Sequence, residues 1–578
     1  MTVLDAHARP ALTAPTSHRK PRQVAGWLLV GLAAVAWVVA LPLSDVERID
    51  GWGLLSALSP VWFASFVLTL AAYVVALRRD DATPRLLVAC QVMLVLLLFG
   101  TTAVLYGAPR YPWTQKHIGV ASAILSHGVH RSTDIYDNYP GFFLLAGGVH
   151  AVTRISFSDL ARWAEVAFAL ATSGAALFAF RGLRLPRNRR WQALLLLTLG
   201  NWIGQGYFAP QALAYVLALV IVGGLLRRPA GMGWWAGRGG AVGLAVLFLA
   251  LAASHQLTPF AVLGQAGLLW VFRGGLRWRW PVVFAGILTA WTATAWPYLS
   301  THGHVLQFGL FDSVRAPGGG LVPGLPGARL VQTAGPALVA LLGCLAALAV
   351  VRVVRGGRWQ HVRPVVLLAV APVGVLAGQA YGNEGVLRVY LLALPWLSVL
   401  IVTELLPAPR GRRVAGTAGL VGLGLVGTLA VPAAFALELV NRVDPSEVSA
   451  AAWFETHTPA GAPLVVMDGA APTRSTASYA LHVSGDGIAA DVLSDDPGFR
   501  DAAKDPQDLE NFAVDACLSA AGDGPGYLLT GPGTARFGYL YGLLTPPTYA
   551  GLLHVLADDP DVTLAHRSGD SAIWTCSQ

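Results

Sequence analysis

The chain has 578 residues, of which 55% are apolar and 12% charged, with a mean hydropathy of +0.56 and a formal net charge of +8. Average soluble proteins carry about 25% charged residues, so half the usual surface charge is absent. The apolar residues come in blocks of roughly 20, enough to cross a hydrocarbon layer of ~30 Å, which excludes a soluble globular enzyme, a disordered chain and a fibre.

The charge is unevenly divided. Residues 1–439 hold 34 Lys+Arg against 14 Asp+Glu, and residues 440–578 hold 6 against 18. A pI near 9.4 could suggest nucleic acid. The positive charge, however, lies in short loops between apolar runs, where it sets topology, and no nucleic-acid partner is expected. Three regions follow: a basic tail (1–24), a membrane region (25–439) with a large outer loop (107–157), and a water-facing α/β domain (440–578).

Spans are expected near 25–43, 59–77, 86–106, 158–180, 191–207, 208–226, 240–257, 258–273, 281–299, 331–353, 364–381, 388–406 and 414–438. With these thirteen helices, one set of loops and the tail gather 25 basic residues against 9 on the other side. The Lys/Arg rule then puts the N-terminus in the cytoplasm and the acidic domain outside a plasma membrane. The apolar stretch 140–154 is short; a full span there would invert the downstream pattern, so it reads as re-entrant or interfacial. The first span follows basic residues but lacks a clear small-residue cleavage site, which reads as a retained anchor.

Unusual residues collect in the turns assigned to the outside. Ionisable groups at membrane depth are functional candidates; interfacial Trp, Tyr and amides can instead form an aromatic belt. Tyr111, Trp113, Tyr139, Asn201, Gln205, Gln211, His255 and Gln256 are the expected lining of an outward-facing cavity. Lys116 and His117 sit in TQKHIGVASAIL, patterned as an interfacial amphipathic helix. They could hold a lipid-linked phosphate, or simply snorkel to headgroups.

Asp134 and Asp137, in DIYDNYPG, could supply a general base, or Asp137-Asn138 could be only a turn. Glu384 and Arg388 are spaced to pair on one helix face, with Arg388 placed for a phosphate and Glu384 a third candidate base. His255 also fits a hydrogen-bonded structural histidine. His302 and His304 have a spacing compatible with a metal, but no acid or Cys accompanies them, so a divalent ion is unsupported and no cofactor is expected. The sequence contains no Walker-type GxxxxGK[ST] loop.

In the acidic region, DPSEVSAAAWFETHTP (444–459) reads as a helix with Ser446 as a candidate N-cap. GAPLVVMDG and GYLLT read as strands, PTYAGLLHVLADDP as a helix, and the C-terminus as a hairpin around Ser568-Gly569-Asp570. The Asp-rich stretch 494–508 reads as a solvated loop. Cys517 and Cys576, in an oxidising compartment, could form a disulfide; Cys90 and Cys344 fall within spans.

This layout resembles the GT-C superfamily of membrane glycosyltransferases, in an actinobacterial form. The resemblance rests on KHIGVASAILSHGVHRSTDIYDNYPGFFLLAGGVHAV (116–152), SEVSAAAWFETHTPAGAPLVV (446–466) and YGNEGVLRVYLLALPW (381–396). It implies sugar transfer from a polyprenyl-phosphate donor, among membrane lipids, to a cell-envelope glycan, lipid or protein acceptor on the outer face. A Lys or Arg would meet the phosphate and a carboxylate the acceptor hydroxyl. Such proteins usually carry an acid just before the amphipathic helix, where this chain reads GAPRYPWTQKH. Asp134, Asp137 or Glu384 would then take that role. The alternatives are a non-catalytic lipid-glycan binder, a scaffold or a flippase-like protein.

Overall fold

The computed structural model describes residues 20–77, 84–129, 134–228, 231–273, 276–301, 323–377, 385–406, 413–482, 491–521 and 524–577. Helices occupy all thirteen segments expected to span. Among the described residues, eight are long and apolar enough to cross a membrane by length and composition: Pro60–Leu77, Pro84–Leu105, Phe157–Gly182, Pro210–Arg227, Arg279–Thr301, Ala328–Arg355, Gly385–Glu404 and Gly422–Asn441. Shorter apolar helices include Val24–Ala40, Gly141–Thr153, Arg238–Ser254 and Thr258–Phe272. At 13 residues, the Gly141–Thr153 helix is too short to cross unaided, as expected of 140–154.

One expected boundary moves. The fifth span was expected over 191–207, but its helix runs Arg187–Gly200, and 201–209 is non-helical up to Pro210 at the start of the next helix. Asn201, Gly204 and Gly206 break the run, because glycine and short polar side chains favour turns over helix.

Several polar groups inside the bundle pair across helices, since an unpaired one costs kcal/mol. Gln91 accepts from Tyr73 Oη (3.0 Å) and donates to Ser173 Oγ (2.9 Å) and Thr198 Oγ1 (2.8 Å), tying four helices together. A π-helical turn at Leu96–Gly100 presents Thr101, whose Oγ1 accepts from Trp37 (3.1 Å) and Trp62 (2.9 Å). At the end remote from the α/β domain, arginines bond carbonyls near helix C-termini. Arg227 donates to Phe178 O (2.6 Å), and Arg189 to Val402 O (2.9 Å) and Leu406 O (3.0 Å). Cations suit helix C-termini in this way.

The C-terminal region is an α/β domain with sheet order β2-β1-β3-β5-β4, where β1 is Leu464–Val466, β2 Asp491–Val492, β3 Gly526–Thr530, β4 Val562–Ser568 and β5 Ser571–Cys576. β1 pairs parallel with β2 and β3, while β5 runs antiparallel to β3 and β4. Side chains alternate faces along a strand. Leu464 and Val466 therefore pack with Phe454 of the Pro445–His457 helix, and Val465 packs with Leu509 and Leu552 on the other face. Cys517 and Cys576 are bonded, across a sequence separation of 59.

Two local readings change. The N-cap of the Pro445–His457 helix is Asp444, which accepts from Ser446 N (2.9 Å), rather than Ser446 itself. Pro445 at the first helical position, which needs no N–H, fixes the start two residues earlier. The 494–508 stretch is not simply solvated. Phe499 is buried at 2% exposure, and Pro506 opens a 16-residue helix.

Candidate functional site

The end of the bundle facing the α/β domain holds two clusters of polar side chains. The first is built on the amphipathic helix Trp113–His127. Its residues Thr114–Val120 are all buried, because the 470s loop of the α/β domain covers one side and the Gly141–Thr153 helix the other. Gly119 makes that cover possible: a Cβ there would lie 2.1 Å from Arg474 O. Glu455, also buried, fixes the covering loop by accepting from Ser475 N (3.0 Å), Thr476 N (2.8 Å) and Thr476 Oγ1 (2.6 Å).

Lys116 and His117 are therefore interior groups rather than snorkelling ones. Lys116 Nζ pairs with Asp134 Oδ2 at 3.0 Å and lies 4.9 Å from the Tyr136 ring. Burial lowers the affinity of the ammonium for its proton, and Asp134 opposes that shift. Asp134 is heavily engaged: its Oδ1 caps Tyr136 N (3.1 Å) and its Oδ2 accepts from Tyr479 Oη (3.5 Å).

His117 stacks on Tyr207 with centroids 5.5 Å apart and meets Tyr136 edge-on at 5.0 Å. Burial, with Lys116 adjacent, pulls its imidazole down to about 3, so it is neutral at physiological pH. Trp113 is half exposed beneath the Arg474 guanidinium, 5.1 Å from its ring. Asp137 is half-buried one turn from Asp134 and faces the same Lys116 and Tyr479.

Just before this helix, where the sequence offers no acid, the fold supplies two. Arg110 Nε donates to Glu438 Oε1 (2.9 Å), its Nη1 lies 3.2 Å from Glu165 Oε2, and its Nη2 donates to Ala434 O (2.9 Å) and to Glu438. Tyr106 Oη donates to Glu438 Oε2 (2.7 Å), Asn441 Nδ2 to Glu438 Oε1 (3.1 Å), and Tyr111 Oη to Glu165 Oε1 (3.4 Å). Glu438 is wholly inaccessible. Tyr111, at φ +70°, is held in the left-handed region by its N–H bond to Asn441 O (2.8 Å) and by close contact with Gly204. Arg110, Glu165 and Glu438 escaped the sequence reading. The available signal was a carboxylate inside each of two apolar helical runs.

The second cluster surrounds a small enclosed cavity lined by Gln211, Tyr215, His255, Leu257, Thr258, Val375, Arg388, Leu391 and Leu392. Its volume, about 10 Å³, is the size of one water. His255 Nδ1 accepts from Leu257 N and Thr258 N, both at 3.2 Å, starting the Thr258–Arg273 helix. A neutral ring so bonded carries its proton on Nε2. Arg388 is 9% exposed, and the Tyr215 hydroxyl is buried with no hydrogen-bond partner among the described residues. Along the same Thr258–Arg273 helix, Phe260 and Leu263 join Leu288, Thr292 and Trp296 in an apolar groove of about 540 Å³.

Of the residues singled out in sequence, the structure gathers Tyr111, Trp113, Lys116, His117, Asp134 and Asp137 in the first cluster and Gln211, His255 and Arg388 in the second. The clusters adjoin, since the Gly141–Thr153 helix starts against Ser254, next to His255. Tyr139 instead packs with Ala295 and Leu299. Asn201 and Gln205 are half-buried in the 201–209 turn, and Gln256 lies beside the cavity without lining it. Glu384, His302 and His304 lie outside the described residues. Among the described residues no group of three or more His, Cys, Asp or Glu side chains is placed to hold a metal ion.

The fold defines a polytopic α-helical membrane protein with a C-terminal α/β domain. No family model and no curated protein matches it. Among solved structures it is similar to the Archaeoglobus fulgidus oligosaccharyltransferase tethered to an acceptor peptide, at 10% identity and TM-score 0.45, over 80% of this chain and 71% of that one. It is similar to ArnT from Cupriavidus metallidurans bound to undecaprenyl phosphate, at 14% identity and TM-score 0.43, over 85% and 97%. It is also similar to the arabinofuranosyltransferase AftD from Mycobacteria, at 15% identity and TM-score 0.44; the alignment takes in 86% of this chain but 42% of that longer protein.

Proposed function

We propose that the chain is a membrane glycosyltransferase that moves a sugar from a polyprenyl-phosphate donor to a cell-envelope acceptor. In this reading the α/β domain lies outside the plasma membrane and the N-terminus in the cytoplasm. The observation that carries the proposal is the second cluster. A buried guanidinium, an imidazole N–H, a carboxamide and a phenol with no partner among the described residues line one cavity, and an apolar groove runs along the same helix. A phosphate needs the donors, and a prenyl tail needs the groove.

The cavity is closed to water size, so donor entry requires a rotamer change at Arg388 or Gln211. In the transfer step a carboxylate takes the proton of the acceptor hydroxyl. The acceptor oxygen then bonds to the anomeric carbon, and the bond to the phosphate oxygen breaks. Polyprenyl phosphate leaves with its added negative charge held by Arg388. Asp134 and Asp137 of the DIYDN pair are both candidate bases; Asp134 is engaged by Lys116, Tyr136 N and Tyr479, and Asp137 faces the same Lys116 and Tyr479. Glu384, four residues before Arg388, is the remaining candidate.

Donor binding tests the proposal. Full-length protein in nanodiscs, titrated with polyprenyl phosphate, should lose about tenfold or more in affinity on Arg388→Ala. Unchanged affinity in Arg388→Ala and in His255→Ala would remove the cavity from the reaction.

A further inference from the structure

Away from both clusters lies a much larger cleft, of about 890 Å³, within the size range of small-molecule sites. One wall is the turn after the first helix, with Glu47 and Asp50. The other is the α/β domain, with Arg536, Tyr539, Tyr549, Arg567, Asp570 and Trp574, and Arg442 stands at the junction.

The chemistry of this lining is specific. Its formal charges balance, three arginines against Glu47, Asp50 and Asp570, which disfavours a polyanion or a cation as ligand. Two of its aromatic residues have their polar ends tied inward: Trp574 Nε1 donates to Thr530 Oγ1 (2.9 Å) and Tyr549 Oη to Gly531 O (2.9 Å). What these two rings offer the cleft is therefore apolar. The polar groups at its edge are planar. Arg442 is held by Val46 O (2.8 Å) and by Glu47, and Arg536 donates to Arg442 O (3.2 Å) while its buried Nε has no hydrogen-bond partner among the described residues. Arg567 and Asp570 are exposed at the tip of the β4–β5 hairpin.

We propose that this cleft binds a neutral saccharide chain. Sugar rings present C–H faces that suit aromatic walls and vicinal hydroxyls that suit forked guanidinium and carboxylate groups. A lipid tail would strand the charged edge, and an ionic ligand would find no net charge to answer it. Assigning the bound saccharide as the acceptor rests on the transferase reading; the binding itself does not.

The test uses the full chain in nanodiscs and saturation-transfer NMR with a panel of neutral α- and β-linked hexose and pentose oligomers, with a uronic-acid oligomer for comparison. At least one neutral oligomer should bind. Tyr539→Ala should weaken it by about tenfold. Arg567→Ala and Asp570→Ala, at exposed positions that leave the fold intact, should each weaken it several-fold, and polyprenyl-phosphate affinity should be unchanged in all three.

Absence of binding by every neutral oligomer would overturn the proposal. So would binding indifferent to all three substitutions, or a preference for the uronate. Saccharide binding with this variant pattern but no donor turnover would sink the transferase reading and leave the cleft standing. Donor turnover without saccharide binding would do the reverse.

Discussion

Replacing Arg110 by Gln should loosen the junction between the membrane helices and the α/β domain more than replacing either carboxylate that Arg110 holds. The cluster contains one guanidinium and two carboxylates, with Glu438 fully buried and Glu165 at 6% side-chain exposure. Removing the cation leaves two buried anions without their partner, and breaking such a pair costs about 3–5 kcal/mol. Glu438→Gln keeps the shape and most hydrogen bonds while removing excess negative charge, so its cost should be nearer 1–2 kcal/mol.

The amide of Tyr111 reports this directly, because it donates to Asn441 O across the junction. Hydrogen exchange of the full chain in nanodiscs should show Tyr111 protection falling by about a hundredfold or more in Arg110→Gln, at 1.4 kcal/mol per tenfold. The loss should be clearly smaller in Glu438→Gln and Glu165→Gln. If Glu438→Gln matches or exceeds Arg110→Gln, or if Tyr111 protection is unmoved, the electrostatic clamp is not what holds the junction.

Three further outcomes are expected. Reducing the Cys517–Cys576 bond releases a loop of 59 residues, which on the chain-entropy model costs about 4 kcal/mol; hydrogen exchange in β3 and β5 should rise, and no change under reductant would count against it. Glu447, buried against Gly533 N (2.8 Å) and Thr534 N (3.2 Å), has its carboxyl pushed up by burial to about 7 from the usual 4.5. The folded domain then keeps a proton that the unfolded chain has lost, so its stability should fall by about 3 kcal/mol as pH rises from roughly 4.5 through 7. Glu447→Gln should flatten that slope, whereas a domain more stable at pH 8 than at pH 5 would reverse the sign. Finally, Gly119→Val should push the 470s loop off the amphipathic helix, exposing the Ser475 and Thr476 amides to exchange. Unaltered protection there would mean the close approach to Arg474 O is not maintained in solution.

Much of this architecture was legible in the sequence because the bilayer imposes long apolar runs, and all thirteen became helices. GYLLT and the terminal hairpin were legible for a different reason: alternation and turn residues are local signals. The boundary at Gly200 was lost because the apolar Trp202, Ile203 and Phe208 kept the average high across a turn that Asn201 and Gly204 dictate. For the site, the polar turns pointed to Lys116, Asp134, His255 and Arg388. What they did not disclose was pairing. Arg110 meets Glu438 across 328 residues, a contact no local pattern encodes, and Asp134, read as a candidate base, is engaged by Lys116. Nor could the pattern show that a glycine at 119 lets a distant loop bury the amphipathic helix.

Sugar transfer from a lipid phosphate is tested most closely by direct turnover. Full-length protein in nanodiscs would be given radiolabelled polyprenyl-phosphate sugars with cell-envelope acceptors, following donor loss and labelled product in wild type, Asp137→Asn, Asp134→Asn, Glu384→Gln and Arg388→Ala. Turnover is expected in the wild type, with its loss in Arg388→Ala, and its loss with donor binding retained in one of Asp134→Asn, Asp137→Asn and Glu384→Gln. Donor bound but never consumed by the wild type across the acceptor panel, or turnover indifferent to all four substitutions, would contradict this expectation.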